Sequence, residues 1–351
     1  MIKTGKERKP VFDKSLRYLR QSVYHISDYE SIPFRFAAGE KEVYKNFNLS
    51  IFVDDVCNAN CKFCVAQLRY ENRKLLYRKE HISDDEEYFK RLYRVLSLVR
   101  ELDPSISITG GEPSISRRLP RILSLIDEFG FRKRTITSNG SGLFLCHHGE
   151  SVAELLAKHR FDHLNISRCA VGEELNKRIM DYDRGGLYFS NRDLRNLLNL
   201  LKGASPKIRL SCLLLKEAVG SLSGLKEYVD YYLDLGIDNF IFRQLMQYDH
   251  LAVNLEKIRY CEQNTVELNT IWEEMESDPE LLPYLNLLGY YYYVEIYKYK
   301  NATIASEAAD LRRQYEEKAK HPDIVYEMVF HTNGNLCGSW IPEEDVLDPY
   351  R

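Results

Sequence analysis

The sequence lacks any long uninterrupted apolar segment. No window of the 351 residues approaches the roughly 18 consecutive apolar residues that a membrane-spanning helix requires. The opening residues, from Met1 to Lys6, also lack the apolar core of a secretory signal. We therefore expect a protein that does not cross a membrane and that works in the cytoplasm.

The chain also has little net charge. Its 49 Lys and Arg residues against 52 Asp and Glu residues give a formal charge of −3 at pH 7, so there is no general electrostatic attraction to nucleic acid. We expect no DNA partner. Residues 1–20 are locally basic, with seven Lys or Arg against two acidic residues. Such a charge run is more often a solvated face than an arm that recruits an acidic partner.

Cysteine is scarce, yet it is not scattered. Three of the eight cysteines, Cys57, Cys61 and Cys64, follow closely after the apolar segment Leu49 to Val53. Thiolates at this spacing can converge on zinc or on an iron–sulfur cluster. No second C-x2-C pair or paired His follows that would complete a four-ligand zinc site. A four-iron cluster held by three cysteines would leave one iron open to a cofactor or substrate.

The three-cysteine motif has an aromatic residue, Phe63, directly before its last cysteine, and a Gly110-Gly111-Glu112-Pro113 stretch follows at a predicted strand end. Together these motifs resemble the radical S-adenosylmethionine (radical SAM) superfamily. The resemblance implies a [4Fe–4S] cluster held by Cys57, Cys61 and Cys64, with S-adenosylmethionine bound at the open iron. It also implies reductive cleavage of that cofactor and abstraction of hydrogen from a C–H bond. Such chemistry needs a strong reductant of the flavodoxin or ferredoxin type.

Segments rich in strand formers alternate with segments of helical periodicity over the central part of the chain. Six strands are predicted: Asn48–Asp54, Ile106–Thr109, Arg134–Thr137, His163–Ser167, Ile208–Leu214 and Asp238–Arg243. This alternation predicts right-handed crossovers and a parallel sheet. We therefore expect an α/β fold with a partial (β/α)6 TIM-like barrel, the form that the resemblance also implies. In such barrels, functional residues gather at the carboxyl ends of the strands.

The predicted organisation has three parts. Residues 1–47 form a basic N-terminal segment, residues 48–247 the radical SAM core, and residues 248–351 an α+β extension that closes the barrel. The elements expected in the extension are a helix over Val266–Met275, a strand over Tyr290–Lys300, a charged helix over Ala305–Lys320, a strand over Ile324–His331 and a hairpin turn over Thr332–Asn335.

The resemblance assigns cofactor-binding roles to residues at two strand ends. Gly110 and Gly111 would let the backbone approach the methionyl ammonium of S-adenosylmethionine, and Glu112 would add negative charge. Ser138 and Asn139 match positions that bind the ribose or the methionyl group. Taken alone, Gly-Gly and Ser-Asn-Gly are ordinary turn signals.

Four further residues are candidates on the same basis. Ser167 and Arg168 would bind the ribose hydroxyls and the carboxylate, because an Arg fork donates two parallel hydrogen bonds. Leu213 would line the adenine pocket, although a plain core role suits it better. Arg243 would face either cofactor or substrate. Phe63, inside the cysteine motif, completes the set of cofactor-binding candidates.

Three other motifs favour structural roles. Cys146-His147-His148 combines metal-ligand types, but adjacent residues point in different directions, so we interpret it as a loop. Cys337, within Gly334 to Gly338, resembles the start of the SPASM or twitch extensions, yet further cysteines at short spacing are missing. We expect no auxiliary cluster. The run Tyr290–Tyr293 favours strand packing over stacking on a substrate.

The leading hypothesis is a radical SAM enzyme that acts on a small molecule or a peptide. The motifs are similar to those of the molybdenum-cofactor GTP cyclase and of SPASM or twitch peptide-modifying enzymes. The chain lacks the cyclase's second three-cysteine set, which argues against GTP cyclisation. It also lacks a recognisable peptide-binding domain, which weakens a peptide substrate without excluding it. A nucleoside or another small metabolite therefore stays open as the substrate. The alternatives are a non-catalytic binding protein stabilised by zinc or an iron–sulfur cluster, and an enzyme decayed into a scaffold. The second is disfavoured because all three cysteines and Gly-Gly-Glu are present.

Overall fold

The computed structural model describes residues 30–45, 47–246, 248, 251–288, 292–309 and 311–351, with the backbone alone for residues 285–288 and 311–313. Most of the predicted basic segment, as well as Tyr290 and Tyr291, lies outside the described residues. Among the helices described, none is both long enough and apolar enough to cross a membrane.

The described chain begins with three strands. They are β1 (Ser31–Phe36), β2 (Gly39–Tyr44) and β3 (Asn48–Phe52). Strands β1 and β2 form an antiparallel hairpin, in which Phe34 and Phe36 are buried. This hairpin is not among the predicted elements, because the predictions for residues 1–47 concern only their charge.

Helices and strands then alternate through the core. In chain order they are α1 (Val65–Leu68), α2 (Arg73–Tyr77), α3 (Asp85–Val99), β4 (Ser105–Thr109), α4 (Leu119–Phe129), β5 (Lys133–Ser138), β6 (Cys146–His147), β7 (Glu150–Ser151), α5 (Val152–Lys158), β8 (His163–Ser167), α6 (Glu173–Met180), α7 (Asn191–Leu200), β9 (Lys207–Leu213), α8 (Leu222–Asp234) and β10 (Asn239–Arg243). All six predicted strands are therefore confirmed, with bounds that shift by two residues at most.

The last hundred residues add both helices and strands. They are α9 (Leu255–Asn264), α10 (Leu268–Ser277), β11 (Leu281–Leu288), β12 (Tyr292–Tyr299), β13 (Ala302–Ala309), α11 (Leu311–Lys320), β14 (Ile324–Val325), β15 (Met328–Phe330), β16 (Leu336–Cys337) and β17 (Val346–Asp348). The predicted hairpin is confirmed, since β15 and β16 pair in antiparallel fashion around Gly334, whose φ is +86°.

One large sheet organises the fold. Its strand order is β11-β12-β13-β10-β9-β8-β5-β4-β3-β15-β16-β17. The strands from β13 through β15 in this order pair in parallel, and antiparallel strands continue the sheet at both ends. The two outermost strands do not pair with each other in the described sheet, so the barrel is partial, as the sequence predicts. Strands β13 and β15, from the predicted extension, flank the six core strands on either side.

Burial alternates along the strands. On β9, Ile208, Leu210 and Cys212 are buried, whereas Arg209, Ser211 and Leu213 are half-buried. Side chains alternate between the two faces of a strand, and the helices of a β/α barrel cover its outer face. The buried set therefore packs under the helices, and the half-buried set faces the concave inner side of the sheet.

The predicted helix over Ala305–Lys320 is wrong in its first part. Residues Ala302–Ala309 form strand β13, and only Leu311–Lys320 is helical. Ile304 pairs with Phe240 of β10 on one side and with Tyr297 of β12 on the other. Backbone pairing to two neighbours outweighs the helical preference of an alanine-rich segment. Similarly, the strand predicted over Ile324–His331 is divided into β14 and β15.

The tyrosines of β12 pack rather than face solvent. Tyr293 and Tyr297 are buried, and both hydroxyls donate to the buried carboxylate of Glu295, at 3.1 and 3.0 Å. The Tyr293 ring also meets Trp272 of α10 edge-on, with centroids 5.3 Å apart. The predicted packing role is confirmed for the described part of the tyrosine run.

A buried arginine fastens the C-terminal strands to the core. Arg91 of α3 is 4% exposed, and its guanidinium donates to the carbonyl of Gly334 at 2.7 Å. It also donates to the carboxylate and the carbonyl of Asp348 in β17, at 2.7 and 2.6 Å. Removing it would leave these acceptors without their charged donor.

We expect Arg91→Leu to lower the free energy of unfolding by about 2–4 kcal/mol, because it breaks a buried charged hydrogen-bond network. Urea unfolding followed by tryptophan fluorescence measures this loss. Arg94→Leu is the matched control, since Arg94 lies exposed on the same helix. Equal stability of the two variants would contradict this account of Arg91.

Candidate active site

The cysteine loop starts where β3 ends. The Asp54 carboxylate accepts hydrogen bonds from the backbone N–H groups of Asp55 and Val56, at 2.7 and 3.1 Å, and so turns the chain out of the sheet. Cys57, Cys61 and Cys64 follow, all half-buried and unbridged by disulfides. The loop therefore lies at the carboxyl end of a central parallel strand, where barrel sites form.

Backbone pairing holds this loop in place. Its partner is the segment at and after the end of α6, residues 179–187. Hydrogen bonds of 2.9–3.1 Å join the two: Asn60 N–H to Asp181 O, Lys62 N–H to Ile179 O, and Asp183 N–H to Asn58 O. Three hydrogen bonds to a second segment therefore hold the backbone of the cysteine loop.

Helix α2 clamps the first cysteine. The Tyr77 hydroxyl accepts from the Cys57 N–H at 3.1 Å and donates to the Cys57 carbonyl at 2.9 Å. The Arg73 guanidinium also donates to this carbonyl and forms an ion pair with Asp183 at 2.7 Å. Arg73 thus links the cysteine loop to the segment that follows α6.

A buried lysine lies against the second cysteine. Lys257 of α9 is 5% exposed, and its ammonium donates to the carbonyl of Cys61 at 2.5 Å and to both side-chain and backbone oxygens of Asn60 at 3.3 Å. Among the described residues, no carboxylate forms an ion pair with this ammonium. Burial lowers the pKa of Lys257, and the nearby thiols Cys64 and Cys61 oppose that shift. The loop therefore faces a buried ammonium that no carboxylate among the described residues contacts directly, although Glu256 and Asp181 act on it from a greater distance.

The start of α9 docks beside this lysine. The Asn254 side chain caps the helix by accepting from the Lys257 N–H, and it donates to the carbonyls of Gln67 and Tyr70. Its own N–H donates to the carbonyl of Leu68, at the end of α1. Helix α9 of the extension is thus fixed to the chain that directly follows Cys64.

The thiols lie in apolar surroundings. Burial raises the pKa of Cys57 to about 12, and burial together with the Cys64 and Cys57 thiols raises that of Cys61. The sulfur of Met180 lies 3.7 Å from the Cys61 sulfur and 3.9 Å from that of buried Cys169. Sulfur atoms in a buried, apolar environment therefore line this side of the loop.

Gly110 and Gly111 pack on the entry to the cysteine loop. Both have positive φ, +86° and +53°. A Cβ on Gly111 would lie 2.1 Å from the carbonyl oxygen of Val56, and one on Gly110 would lie 2.5 Å from the ring of Phe52. The Glu112 N–H donates to the same Val56 carbonyl at 2.9 Å. Only glycine allows this backbone approach; the predicted contact with the methionyl ammonium stays a prediction.

The Glu112 carboxylate joins two strand ends. It is 2% exposed and accepts hydrogen bonds from the N–H and hydroxyl of Ser114, from the hydroxyl of Ser138 and from the N–H of Asn139, at 2.6–2.9 Å. Burial raises the pKa of Glu112, and these hydrogen bonds oppose the shift. Ser138 is engaged in the same network. The carboxylate therefore fixes the chain after β4 to the end of β5.

Asn139 reaches from β5 to the cysteine loop. Its amide donates to the side-chain oxygen of Asn58 at 3.0 Å, and Ser141 donates to that oxygen at 3.2 Å. Ser138 and Asn139 thus lie at the site, as the sequence predicts. In this structure their side chains support the loop, and cofactor binding by them stays a prediction.

The two residues that close β8 differ. Ser167 is half-buried at the carboxyl end of the strand. Arg168 is 1% exposed, and its guanidinium donates to the Tyr232 hydroxyl at 3.0 Å, to the Phe189 carbonyl at 2.6 Å and to the side chain of Asn191. Because these hydrogen bonds use its guanidinium donors inside the protein, Arg168 links β8 to α7 and α8. This geometry favours a structural role over the predicted contact with a carboxylate.

The remaining candidates lie on the concave side. Leu213 and Phe63 pack, with Cys61, against a small apolar cluster centred on Cys169, Ile179, Met180, Leu215, Leu245 and Cys261. Arg243, at the end of β10, lies next to Leu213 in the strand register, and its Nε lies 3.5 Å from the carboxylate of Glu307. The structure thus brings these three candidates to one face of the sheet.

The side chains of the loop fit an iron–sulfur cluster by their chemistry. Within the described ranges, no three or more His, Cys, Asp or Glu side chains are grouped closely enough for a single metal ion. A four-iron cluster distributes its thiolate ligands over different irons, so it does not need such a grouping. Cluster-bound thiolates carry negative charge, and the ammonium of Lys257 offers the complementary charge. Cys57, Cys61 and Cys64 would hold the cluster.

The other cysteine motifs lie apart from this loop. Cys146 is exposed, in a two-residue strand that pairs with β7. Cys337 is buried in β16, where its thiol lies 3.4 Å from the carbonyl of Pro342. The expectation that neither holds a second cluster stays a prediction.

Several residues of the site are not among those predicted from the sequence. The spacing of four between Arg73 and Tyr77 places both on one face of a helix, and this was the only signal for the clamp on Cys57. Nothing near Lys257 in sequence points to the loop, because the lysine and Cys61 lie 196 residues apart. The contact arises only when the chain folds.

Comparison with known proteins agrees with the fold and the loop. Residues 51–188 match the family model of the Radical SAM superfamily. A probable GTP 3',8-cyclase of Sulfurisphaera tokodaii is 22% identical over 196 residues, 54% of this chain and 53% of that protein. An S-adenosylmethionine-dependent nucleotide dehydratase of Selenomonas ruminantium is 25% identical over 173 residues, 47% of this chain and 54% of that protein. The chain thus spans about half the length of these curated relatives.

A solved structure shares the architecture more widely. The crystal structure of Streptococcus suis SuiB bound to S-adenosylmethionine superimposes with a TM-score of 0.52 and 16% identity. The match covers 85% of this chain and 61% of SuiB. At this identity the likeness concerns the fold alone.

The three-cysteine loop at the end of β3, the partial barrel and these matches lead to one classification. Residues 51–188 of this chain form a domain of the radical SAM superfamily, whose enzymes use a [4Fe–4S] cluster and S-adenosylmethionine.

Proposed function

We propose that this chain cleaves S-adenosylmethionine reductively and uses the product to abstract hydrogen from a C–H bond of a small-molecule or peptide substrate. Reductive cleavage is the chemistry that the cluster supplies when it is bound. In this proposal Cys57, Cys61 and Cys64 hold the cluster. Phe63, Gly110–Glu112, Ser138, Asn139, Ser167 and Leu213 surround the cofactor.

One observation carries the proposal. A buried ammonium, that of Lys257, lies against a loop of three thiols without a carboxylate partner among the described residues. Burying an unpaired charge is costly. A negatively charged, thiolate-ligated group in the loop would offset that cost, whereas a loop that stayed empty would not.

The chain's own residues position and shield the site. Arg73 and Tyr77 fix the backbone of Cys57. The Glu112 carboxylate fixes the strand ends beside the loop, and Asn139 holds Asn58 within it. The apolar cluster around Met180 excludes water from one side. A site that is organised before binding spends less binding free energy on ordering.

The reductant and the location form part of the proposal. We infer an electron donor of the flavodoxin or ferredoxin type, because reductive cleavage requires a low potential. We place the protein in the cytoplasm, since unbridged cysteines with metal-ligand spacing suit a reducing compartment.

Two substrate classes stay within the proposal. The names of two curated relatives, a GTP cyclase and a nucleotide dehydratase, favour a nucleotide or nucleoside. A peptide substrate also stays within the proposal. The match to the SuiB structure covers more of this chain than the curated relatives do, but a shared fold does not determine the substrate.

Replacing any one of Cys57, Cys61 and Cys64 by serine should abolish the cluster and the cleavage reaction. The protein is reconstituted anaerobically with iron and sulfide, and bound iron and its absorbance are measured. Dithionite and S-adenosylmethionine are then added, and 5'-deoxyadenosine is quantified. The wild type should release it, and the three variants should not.

Cys146→Ser is the control, because Cys146 is exposed and lies outside the loop. It should retain iron and activity. A wild-type protein with a full cluster that releases no 5'-deoxyadenosine would refute the enzyme in favour of a cluster-stabilised binding protein. Tetrahedral zinc in the purified protein, retained after reconstitution, would refute the cluster itself.

Lys257→Met should make the reduction potential of the cluster more negative by an amount on the order of tens of millivolts, because it removes a positive charge that stabilises the reduced state. A redox titration followed by electron paramagnetic resonance measures the midpoint potential. Arg259→Met removes one positive charge from the exposed side of the same helix. It should shift the potential much less, and equal shifts would refute a specific role for Lys257.

A further inference from the structure

The concave face of the sheet carries an unusual pair of arginines. Arg209 on β9 and Arg243 on β10 both belong to the half-buried set of their strands. The two strands are neighbours in parallel register, in which Arg243 pairs with Leu213. Both guanidinium groups therefore extend over the same inner surface, away from the helices.

The Arg209 guanidinium is held in a defined orientation. Its Nε donates to the side-chain oxygen of Asn165 on β8 at 2.8 Å, and the Asn165 amide donates in turn to the Thr137 hydroxyl at 3.2 Å. Neither terminal nitrogen of Arg209 donates to another residue in the described part of the chain. Both remain available to a ligand.

Arg243 is only loosely paired. Its buried Nε makes no hydrogen bond to any residue that the structure describes, and the nearest carboxylate oxygen, on Glu307, lies 3.5 Å away. Glu307 lies beside Arg243 in the register of β10 with β13. The local charge is thus two guanidiniums against one carboxylate.

Two nearby cations in a semi-enclosed space repel each other. Burial and the positive charge of Arg243 together lower the pKa of Arg209 to about 10, and Glu307 opposes that shift only in part. Groups perturbed in this way are often found at functional sites. A bound anion would relieve the repulsion and satisfy the free donors.

We propose that Arg209 and Arg243 bind an oxyanion of the substrate, a phosphate or a carboxylate, on the concave face of the barrel. The inference rests on the proposed function and specifies its substrate as an anion. Arginine suits this role because its planar fork matches both oxyanions with parallel hydrogen bonds. The negative charge of Glu307 repels an anion, so the site favours substrates whose attraction to the two arginines exceeds this repulsion.

The two arginines lie at different positions along their strands. Arg243 is beside Leu213 in the register, at the strand end that carries the predicted cofactor contacts. Arg209 precedes the end of β9 by four residues, which corresponds to about 13 Å along the strand. Leu213, at that end, packs with Cys61 and Phe63. An oxyanion held by the two arginines would therefore anchor one end of a substrate whose other end reaches toward the cysteine loop.

Isothermal titration calorimetry with inorganic pyrophosphate and, separately, succinate tests the inference. Both the purified and the reconstituted protein are titrated, with and without saturating S-adenosylmethionine. We expect saturable binding of at least one anion that persists with the cofactor present. Binding of pyrophosphate alone would identify a phosphate ester as the substrate, and binding of succinate alone a carboxylate.

Arg209→Gln and Arg243→Gln should each weaken anion binding by about tenfold or more, since each removes a charged donor. Glu307→Gln should strengthen it, and a gain cannot result from misfolding. Arg195→Gln, on the exposed side of α7, makes the same change of charge and should leave binding unaltered.

The inference is overturned if the wild type binds neither anion, if both arginine variants bind like the wild type, or if S-adenosylmethionine displaces the anion. The last result would assign the arginines to the cofactor. Release of 5'-deoxyadenosine by the same wild-type preparation is measured in parallel. Its absence would count against the proposed function, whereas its presence without anion binding would overturn this inference alone.

Discussion

The site depends on one close approach of two backbone segments. At Gly111 the chain after β4 contacts the carbonyl of Val56, so closely that no side chain fits between them. The adjacent N–H of Glu112 donates to the same carbonyl, and the Glu112 carboxylate extends the contact to β5 through Ser138. The start of the cysteine loop is therefore held at the ends of three parallel strands.

Much of this arrangement can be predicted from the sequence. Each of the six core strands is a short segment of β-branched and apolar residues that is closed by a turn, and all six are found in the sheet. Cys57, Cys61 and Cys64 are close in sequence, so their spacing alone indicates a shared ligand. Local patterns were sufficient for these elements, although the local hairpin of β1 and β2 was not predicted.

Prediction from the sequence was wrong or incomplete where contacts between residues far apart in the chain determine the structure. The segment Ala302–Ala309 has the composition of a helix, yet pairing with β10 and β12 makes it a strand. Contacts with α7 and α8, which the sequence did not indicate, engage the donors of Arg168, and its contact with a carboxylate stays a prediction. The role of Lys257 depends on a contact across 196 residues. No periodicity or motif near these residues indicates which distant residues they contact.

The order of the contacts along the chain also bears on how the site is assembled. On the ribosome, Cys57, Cys61 and Cys64 emerge well before Lys257 and the helix that carries it. The nascent chain therefore exposes its thiols before β13 and β15, the late strands that pair with β10 and β3, have been synthesised. In the complete fold α9 lies against the same loop, with the Lys257 ammonium at the Cys61 carbonyl, so a segment made late in synthesis borders thiols that were made early.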